Sequence, residues 1–382
     1  MTNIKTIIVF GGTGFIGRAV VEKYCKNNWR IVIPTRIKNI DIAKKKIISH
    51  GFDQGLLEEK VSKGMIVFLC DMNITNVKWS DVQNWFSLFE NVLVDTSSIK
   101  RVFNFVGETS GNKEEILLSI INSLDNIFTL VKILKSKNND IVFVNLGSTA
   151  ERSEGRNVSP YEFAKKASRD MIEKEQLCDF HFVVEYVKGR GEQKMTQIAP
   201  VLWKKMKYST RWFFGFEVSV IDVDNLSDII FYLIETVKYT SNHKPVEINV
   251  TNGEIVFGQM IKNLLPEEQR IVPKRVVPIF FEKMFLMIYC NFSTMLNPNN
   301  QLTYRLSKFA EKSLIPKEKQ KASMKTATEI NKLVLHKDYK VIEEKPYLVV
   351  AHVRKSLVYV LSEKTQKEIE EIIQKSVLIK KD

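Results

Sequence analysis

Seven residues near the start, Gly11-Gly12-Thr13-Gly14-Phe15-Ile16-Gly17, constrain the fold of this chain more than any other stretch. They follow an apolar run, Thr6-Ile7-Ile8-Val9-Phe10, and lead into Arg18-Ala19-Val20-Val21-Glu22-Lys23-Tyr24, which reads as a helix. A strand, a glycine-rich turn and a helix in that order make a seat for a phosphate. Gly11 permits the tight turn, Gly14 lets a diphosphate approach bare backbone, and Gly17 lets the helix lie close on the strand. The unpaired N–H groups and positive dipole end of the helix then face the anion. The pattern predicts dinucleotide binding through Gly11, Thr13, Gly14, Phe15, Ile16 and Gly17; the alternative is a glycine turn that closes an ordinary βα unit.

The first half of the chain continues the alternation of a doubly wound parallel sheet. Strands are predicted at 6–10, 30–34, 65–70, 101–106, 140–146 and 180–187, with helices at 17–27, 80–90, 113–136 and 160–176. Within 80–90, Val82, Trp85, Phe86 and Phe89 recur at helical spacing and read as core. Right-handed crossovers put these strands in one sheet, with the ligand crevice at their carboxyl ends. From about residue 190 the alternation fades. A Trp- and Phe-containing stretch at 202–216 is followed by a short helix at 224–238, a strand-like 246–250 and the apolar 276–290. A Lys-rich linker after about residue 316 precedes an alternating pair of strands at 347–361 and a charged helix at 363–375. The expected architecture is α/β: a Rossmann-type doubly wound sheet in a dinucleotide-binding domain at 1–188, a smaller mixed lobe at 189–344, and a C-terminal extension at 345–382.

Composition narrows the function classes. With 382 residues and 44% hydrophobic side chains the chain can bury a substantial core. The apolar run 276–290 is interrupted by Glu282 and Lys283, and no transmembrane helix is expected. Cys25, Cys70, Cys178 and Cys290 lack metal-ligand spacing and read as buried thiols of a reducing compartment, so no metal site is expected. The net charge of +13 favours anionic contacts. No recognition motif or basic-aromatic cluster points to nucleic acid. The first strand begins almost at once, so neither a secretory leader nor an arginine-rich presequence is expected.

Chemistry is suggested at the strand tips. The second strand, Arg30-Ile31-Val32-Ile33-Pro34, ends in Thr35-Arg36 with no carboxylate to hold a ribose diol. Arg36 instead offers a planar fork to a 2′-phosphate, which favours NADP(H) over NAD(H); the alternative is a plain surface arginine. Asp71 falls where an adenine amine would lie, and Gly107 lets the cofactor pass close to backbone. Tyr161 and Lys165 stand at i and i+4, which puts phenol and ammonium on one helix face and equips the phenol for proton transfer. The spacing alone is weak, since Tyr304 and Lys308 repeat it. Placement distinguishes the first pair: Ser148 tips the strand thirteen residues before Tyr161, where its hydroxyl could polarise a substrate carbonyl. Ser148, Tyr161 and Lys165 are the candidate catalytic residues, with a helix-entry tyrosine and a surface lysine as the plainer alternative.

These residues together resemble an extended or atypical short-chain dehydrogenase. Ile31-Val32-Ile33-Pro34-Thr35-Arg36, Phe103-Asn104-Phe105-Val106-Gly107, Val220-Ile221-Asp222-Val223-Asp224, Leu296-Asn297-Pro298-Asn299-Asn300-Gln301-Leu302-Thr303 and Thr326-Ala327-Thr328-Glu329-Ile330 narrow the likeness. They are similar to stretches of the nucleotide-binding accessory subunit family of mitochondrial respiratory complex I (NADH:ubiquinone oxidoreductase). The resemblance spans residues 4 to about 344. It departs from the pattern at Glu185-Tyr186-Val187-Lys188-Gly189-Arg190, which lacks a proline, at the long segment 72–100, and at 345–382.

The resemblance implies a non-catalytic NADP(H)-binding subunit, peripheral on the matrix side of the inner membrane near the junction of the two arms. Other complex I subunits would be its partners, with possible membrane-surface contact through 276–290, where a buried core helix is the alternative. Tyr161 and Lys165 would then serve cofactor binding, their catalytic role vestigial. The competing expectation is an active, cytoplasmic NADPH-dependent reductase or epimerase acting on a small carbonyl or sugar-nucleotide substrate.

Overall fold

The structure is a computed structural model that describes residues 4–75, 96–107, 113–152, 160–193, 195–197, 199–200, 217–236, 245–251, 254–267, 348–353 and 356–360. The apolar run Thr6–Phe10 forms β1, fully buried because helices cover both faces of the sheet. Phe15–Lys26 forms α1, and its Val20, Val21, Tyr24 and Cys25 are buried. Arg30–Pro34 forms β2, Ile40–Ser49 α2, Gln54–Ser62 α3, Ile66–Leu69 β3 and Ile99–Asn104 β4. Next come α4 (Lys113–Leu117), a π turn at Leu118–Asn122, and α5 (Ser123–Lys137). Val142–Ser148 is β5, Pro160–Glu175 is α6, Phe180–Val184 is β6 and Tyr186–Lys188 is β7. The remaining elements are β8 (Glu217–Asp222), α7 (Val223–Thr236), β9 (Val246–Thr251), β10 (Glu254–Val256), α8 (Phe257–Asn263), β11 (Leu348–Val353) and β12 (Ser356–Val360).

The main sheet has the order β12-β11-β9-β6-β5-β4-β1-β2-β3. The seven strands from β3 to β9 run parallel, and β11 and β12 add antiparallel strands beyond β9. This is the doubly wound parallel sheet expected from the sequence. Strand order reverses between β1 and β4, which opens the ligand crevice at their carboxyl ends. A small sheet, β10-β8-β7, stands apart. Residues from all three expected stretches, 1–188, 189–344 and 345–382, contribute strands to the main sheet.

One core layer joins α1 and α7 to the sheet. Tyr24 packs edge-on against Trp29, Phe103 and Phe231 at 4.9–5.3 Å between ring centroids. Its hydroxyl donates to Glu235, which also pairs with Arg101. The opposite layer is built on α5, whose Leu124, Ile127, Phe128, Val131 and Leu134 recur at helical spacing and are all buried. Each such side chain stabilises the fold by about 1.5–3 kcal/mol. The segment Glu115–Lys137 is long and apolar enough to cross a membrane, yet half of its apolar window is buried inside this fold.

The predicted helix at 80–90 and the stretches 202–216 and 276–290 lie outside the described residues. Two helices that the apolar periodicity did not mark, α2 and α3, fill the crossover from β2 to β3. Both start at polar caps: Asn39 accepts from the Asp41 and Ile42 amides, and Asp53 accepts from the Leu56 amide.

Candidate functional site

The glycine turn takes the shape its composition allows. Gly11 lies in the left-handed region at φ +76°, and the Gly14 amide bonds back to its carbonyl at 2.9 Å. A Cβ on Gly11 would come within 2.7 Å of the Phe105 carbonyl, so the turn nests against the tip of β4. A Cβ on Gly17 would lie 2.8 Å from the Gly11 carbonyl carbon and 2.9 Å from Gly12 Cα, which is why the helix starts so close to the strand.

Gly14 is different. A Cβ there would meet only the Gly11 carbonyl oxygen, at 3.2 Å, leaving its remaining flank open to a ligand. Gly14 is also the N-cap of α1 and supplies no side-chain cap, nor does the first turn hold an acidic residue. The opening amides of α1 therefore keep their hydrogen-bonding capacity for an anion, whereas α2 and α3 have theirs capped. Thr13 is nearly buried, Ile16 packs on the core, and the Phe15 ring lies 6.4 Å from that of His50.

The other predicted cofactor residues stand on the same carboxyl edge. Arg36 is exposed directly after β2. The Asp71 amide bonds to the Ile37 carbonyl and the Met72 amide to the Thr35 carbonyl, so the loops after β2 and β3 run side by side. Asp71 itself has φ +61° and is exposed. Gly107, after β4, is exposed, and the nearest atom to a Cβ placed on it is Lys165 Nζ at 3.8 Å.

Lys165 is nearly buried on α6, donates from Nζ to the Leu146 carbonyl at 3.2 Å, and lies 6.0 Å from the Tyr161 ring centroid. Tyr161 packs against Ile116, Ile120 and Ala164. Ser148 ends β5 and is nearly buried; its Oγ accepts from the Ala150 amide at 3.3 Å, which leaves the hydroxyl proton available to a partner. The structure thus brings Tyr161, Lys165 and Gly107 together and anchors the lysine two residues from Ser148. The donor set suits an anionic dinucleotide: bare amides at α1, an exposed guanidinium at β2, and a lysine between β4 and β5. No cluster of metal-ligating groups occurs among the described residues.

Two polar groupings had no signal in the chemistry-bearing motifs. Beneath the glycine turn, the fully buried Arg18 pairs with Glu22 at 3.2 Å and Asp224 at 3.5 Å and donates to the Arg190 carbonyl at 2.7 Å. The i, i+4 spacing of Arg18 and Glu22 was visible, but it usually marks an exposed face. Behind Ser148, Glu151, His181, Asn145 and Asn104 form a buried hydrogen-bonded chain. No sequence spacing connects those four.

Neither a protein-family model nor a curated protein matches the chain. Among solved structures, the terminal R domain of the myxalamid PKS-NRPS biosynthetic pathway is similar at a TM-score of 0.51 and 13% identity, over 83% of this chain and 80% of that one. This is a likeness of fold. ElxO with NADP bound aligns at a TM-score of 0.49 and 14% identity, over 64% of this chain and 97% of that one. UDP-glucose 4-epimerase from the hyperthermophilic eubacterium Thermotoga maritima, with UDP-glucose, aligns at 0.47 and 15% identity, over 72% of this chain and 86% of that one.

Proposed function

We propose that this chain binds NADP(H) at the carboxyl edge of its sheet and acts as an oxidoreductase or epimerase of the short-chain dehydrogenase type on a small carbonyl or sugar-nucleotide substrate. The observation that carries the reading is the uncapped N-terminus of α1, open at Gly14 and set on the same edge as Lys165 and Gly107. The α1 amides would hold the diphosphate, Arg36 would hold the 2′-phosphate, and Asp71 would accept from the adenine amine. A nicotinamide held there would supply hydride chemistry. Ser148 polarises a substrate carbonyl by hydrogen bonding to its oxygen, and keeps its own proton. Tyr161 gives or takes the substrate proton, and Lys165 holds positive charge beside that phenol.

The test is turnover of purified protein with NADPH over a panel of aldehydes, ketones and sugar nucleotides. Tyr161→Phe is expected to lower kcat by about a hundredfold or more, in the range of general acid–base catalysis, with NADPH affinity unchanged. Nucleotide binding without turnover on any substrate would sink the catalytic half of the reading.

A second reading is a non-catalytic NADP(H)-holding subunit of respiratory complex I on the matrix side of the inner membrane. It is supported by the sequence resemblance, of which Val220-Ile221-Asp222-Val223-Asp224 is described: it ends β8, opens α7, and delivers Asp224 to Arg18 beneath the nucleotide turn. Native mass measurement of the chain from its source distinguishes the two. Recovery within a large membrane assembly favours the second, and recovery as a free chain with turnover favours the first.

A further inference from the structure

Asn104, Asn145 and His181 are register partners on β4, β5 and β6, so their side chains share one face of the sheet and stand in a row across it. The row is continuous. Asn104 Nδ2 donates to Asn145 Oδ1 at 2.7 Å, Asn145 Nδ2 lies 3.1 Å from His181 Nδ1, and His181 Nε2 lies 3.0 Å from Glu151 Oε1. All four side chains are almost wholly buried. Gly147 makes room for the last link, because a Cβ there would fall 2.5 Å from His181 Cε1 and 2.6 Å from Glu151 Oε2.

Both ends of the row are main-chain amides of the crevice. The Val106 amide donates to Asn104 Oδ1 at 3.0 Å, and the Ser148 amide donates to Glu151 Oε2 at 3.3 Å. A backbone N–H can only donate, and this sets the direction of every link between them. Asn104 must present its oxygen to Val106, hence its NH2 to Asn145. Asn145 must then present its own NH2 to His181, so Nδ1 accepts and the imidazole proton sits on Nε2, donated to Glu151.

We propose that His181 is a positioning residue: it closes one polarised hydrogen-bond chain that holds the Ser148 turn and the Val106–Gly107 loop in fixed relation at the carboxyl ends of β5 and β4. This rests on the reading of Ser148, Lys165 and Gly107 as parts of one nucleotide and substrate site. A proton on Nδ1 instead would oppose the Asn145 NH2, and relief would require both amides to turn over, setting Asn104 Nδ2 against the Val106 amide. A fault at the imidazole is thereby felt at the far loop.

The experiment is NMR of the full chain labelled with 15N, comparing wild type with His181→Gln and His181→Leu. The wild-type imidazole is expected to show a protonated Nε2 and an unprotonated Nδ1. In His181→Leu the Val106 and Ser148 amides are expected to exchange about tenfold faster, the effect of losing one hydrogen bond, while β1 amides, which report global opening, stay protected. In His181→Gln, whose amide both accepts and donates, exchange is expected within about threefold of wild type.

A proton on Nδ1 overturns the proposal. So does unchanged exchange at Val106 in His181→Leu, a uniform rise that includes β1, or a glutamine variant that behaves like leucine. Should His181→Leu fail to fold, the tautomer and the glutamine variant decide. NADPH fluorescence titration of the same proteins keeps the two readings apart. No binding by wild type sinks the nucleotide site and leaves the amide result to judge the chain. Binding weakened in His181→Leu and kept in His181→Gln supports both.

Discussion

Arg18 Nη2 donates to the main-chain carbonyl of Arg190 at 2.7 Å, joining the helix that follows the glycine turn to the loop after β7. The same guanidinium reaches Glu22 and Asp224, and Arg190 Nη2 returns to Glu22 at 2.7 Å. Burial lowers the Arg18 pKa, and Asp224 and Glu22 oppose that shift. Arg18→Ala empties a fully buried position and removes the hydrogen bond to the Arg190 carbonyl, and is expected to cost about 2–5 kcal/mol. Arg190→Ala, at a side chain about half exposed, is expected to cost no more than about 1 kcal/mol. Urea unfolding of the two variants checks this; equal losses would place the link in the Arg190 side chain instead.

Gly14 and Gly17 are expected to separate ligand binding from packing. Gly14→Ala places a methyl 3.2 Å from the Gly11 carbonyl oxygen and otherwise beside the open α1 amides, so NADPH affinity falls while the melting temperature drops less than in Gly17→Ala. Gly17→Ala drives a methyl into the Gly11 carbonyl and is expected to destabilise by about 1–3 kcal/mol. Melting curves and NADPH titration of both variants supply the comparison, and a Gly14→Ala protein with full affinity would remove the diphosphate from that edge.

Arg36→Ala is expected to weaken NADPH binding about tenfold or more, the loss of a charge-assisted hydrogen bond, and to leave NADH binding near its starting value. The ratio of the two dissociation constants is the readout. An equal loss for both nucleotides would mean that Arg36 does not face a 2′-phosphate.

His50 introduces a pH dependence near the same loop. Its Nδ1–H donates to the Gly191 carbonyl at 3.1 Å, yet burial, with Lys46 and Arg18 nearby, holds its pKa below the ordinary 6.5. The unfolded chain therefore takes up this proton at a higher pH than the folded one. The His50 contribution is complete above pH 6.5 and is lost as the pH falls from there through the lowered folded value. Urea midpoints at about pH 5 and about pH 7.5 should differ less for His50→Gln than for wild type. Identical pH slopes would exclude His50 as the titrating group.

Much of the fold was legible because it is local. The strands at 6–10 and 30–34 coincide with β1 and β2, and the helices at 160–176 and 224–238 fall within two residues of α6 and α7 at each end. Their apolar spacing reports burial directly. Helices α2 and α3 escaped because only Ala43 and Ile47 of the first, and Leu57 of the second, are buried, too few to raise a periodic signal. The candidate site was half legible. The glycine turn announces itself through positions that need no Cβ, and Tyr161 and Lys165 through one turn of helix.

The sequence by itself determined the glycine turn, the parallel alternation and the tyrosine–lysine pair, since each depends on residues within a few positions of one another. Only the tertiary structure decided that β9, β11 and β12 complete the main sheet, that Arg18 is buried, and that Asn104, Asn145 and His181 stand in one row. Strand order and register bring together residues 36 to 206 positions apart, and no local spacing encodes which strand lies beside which.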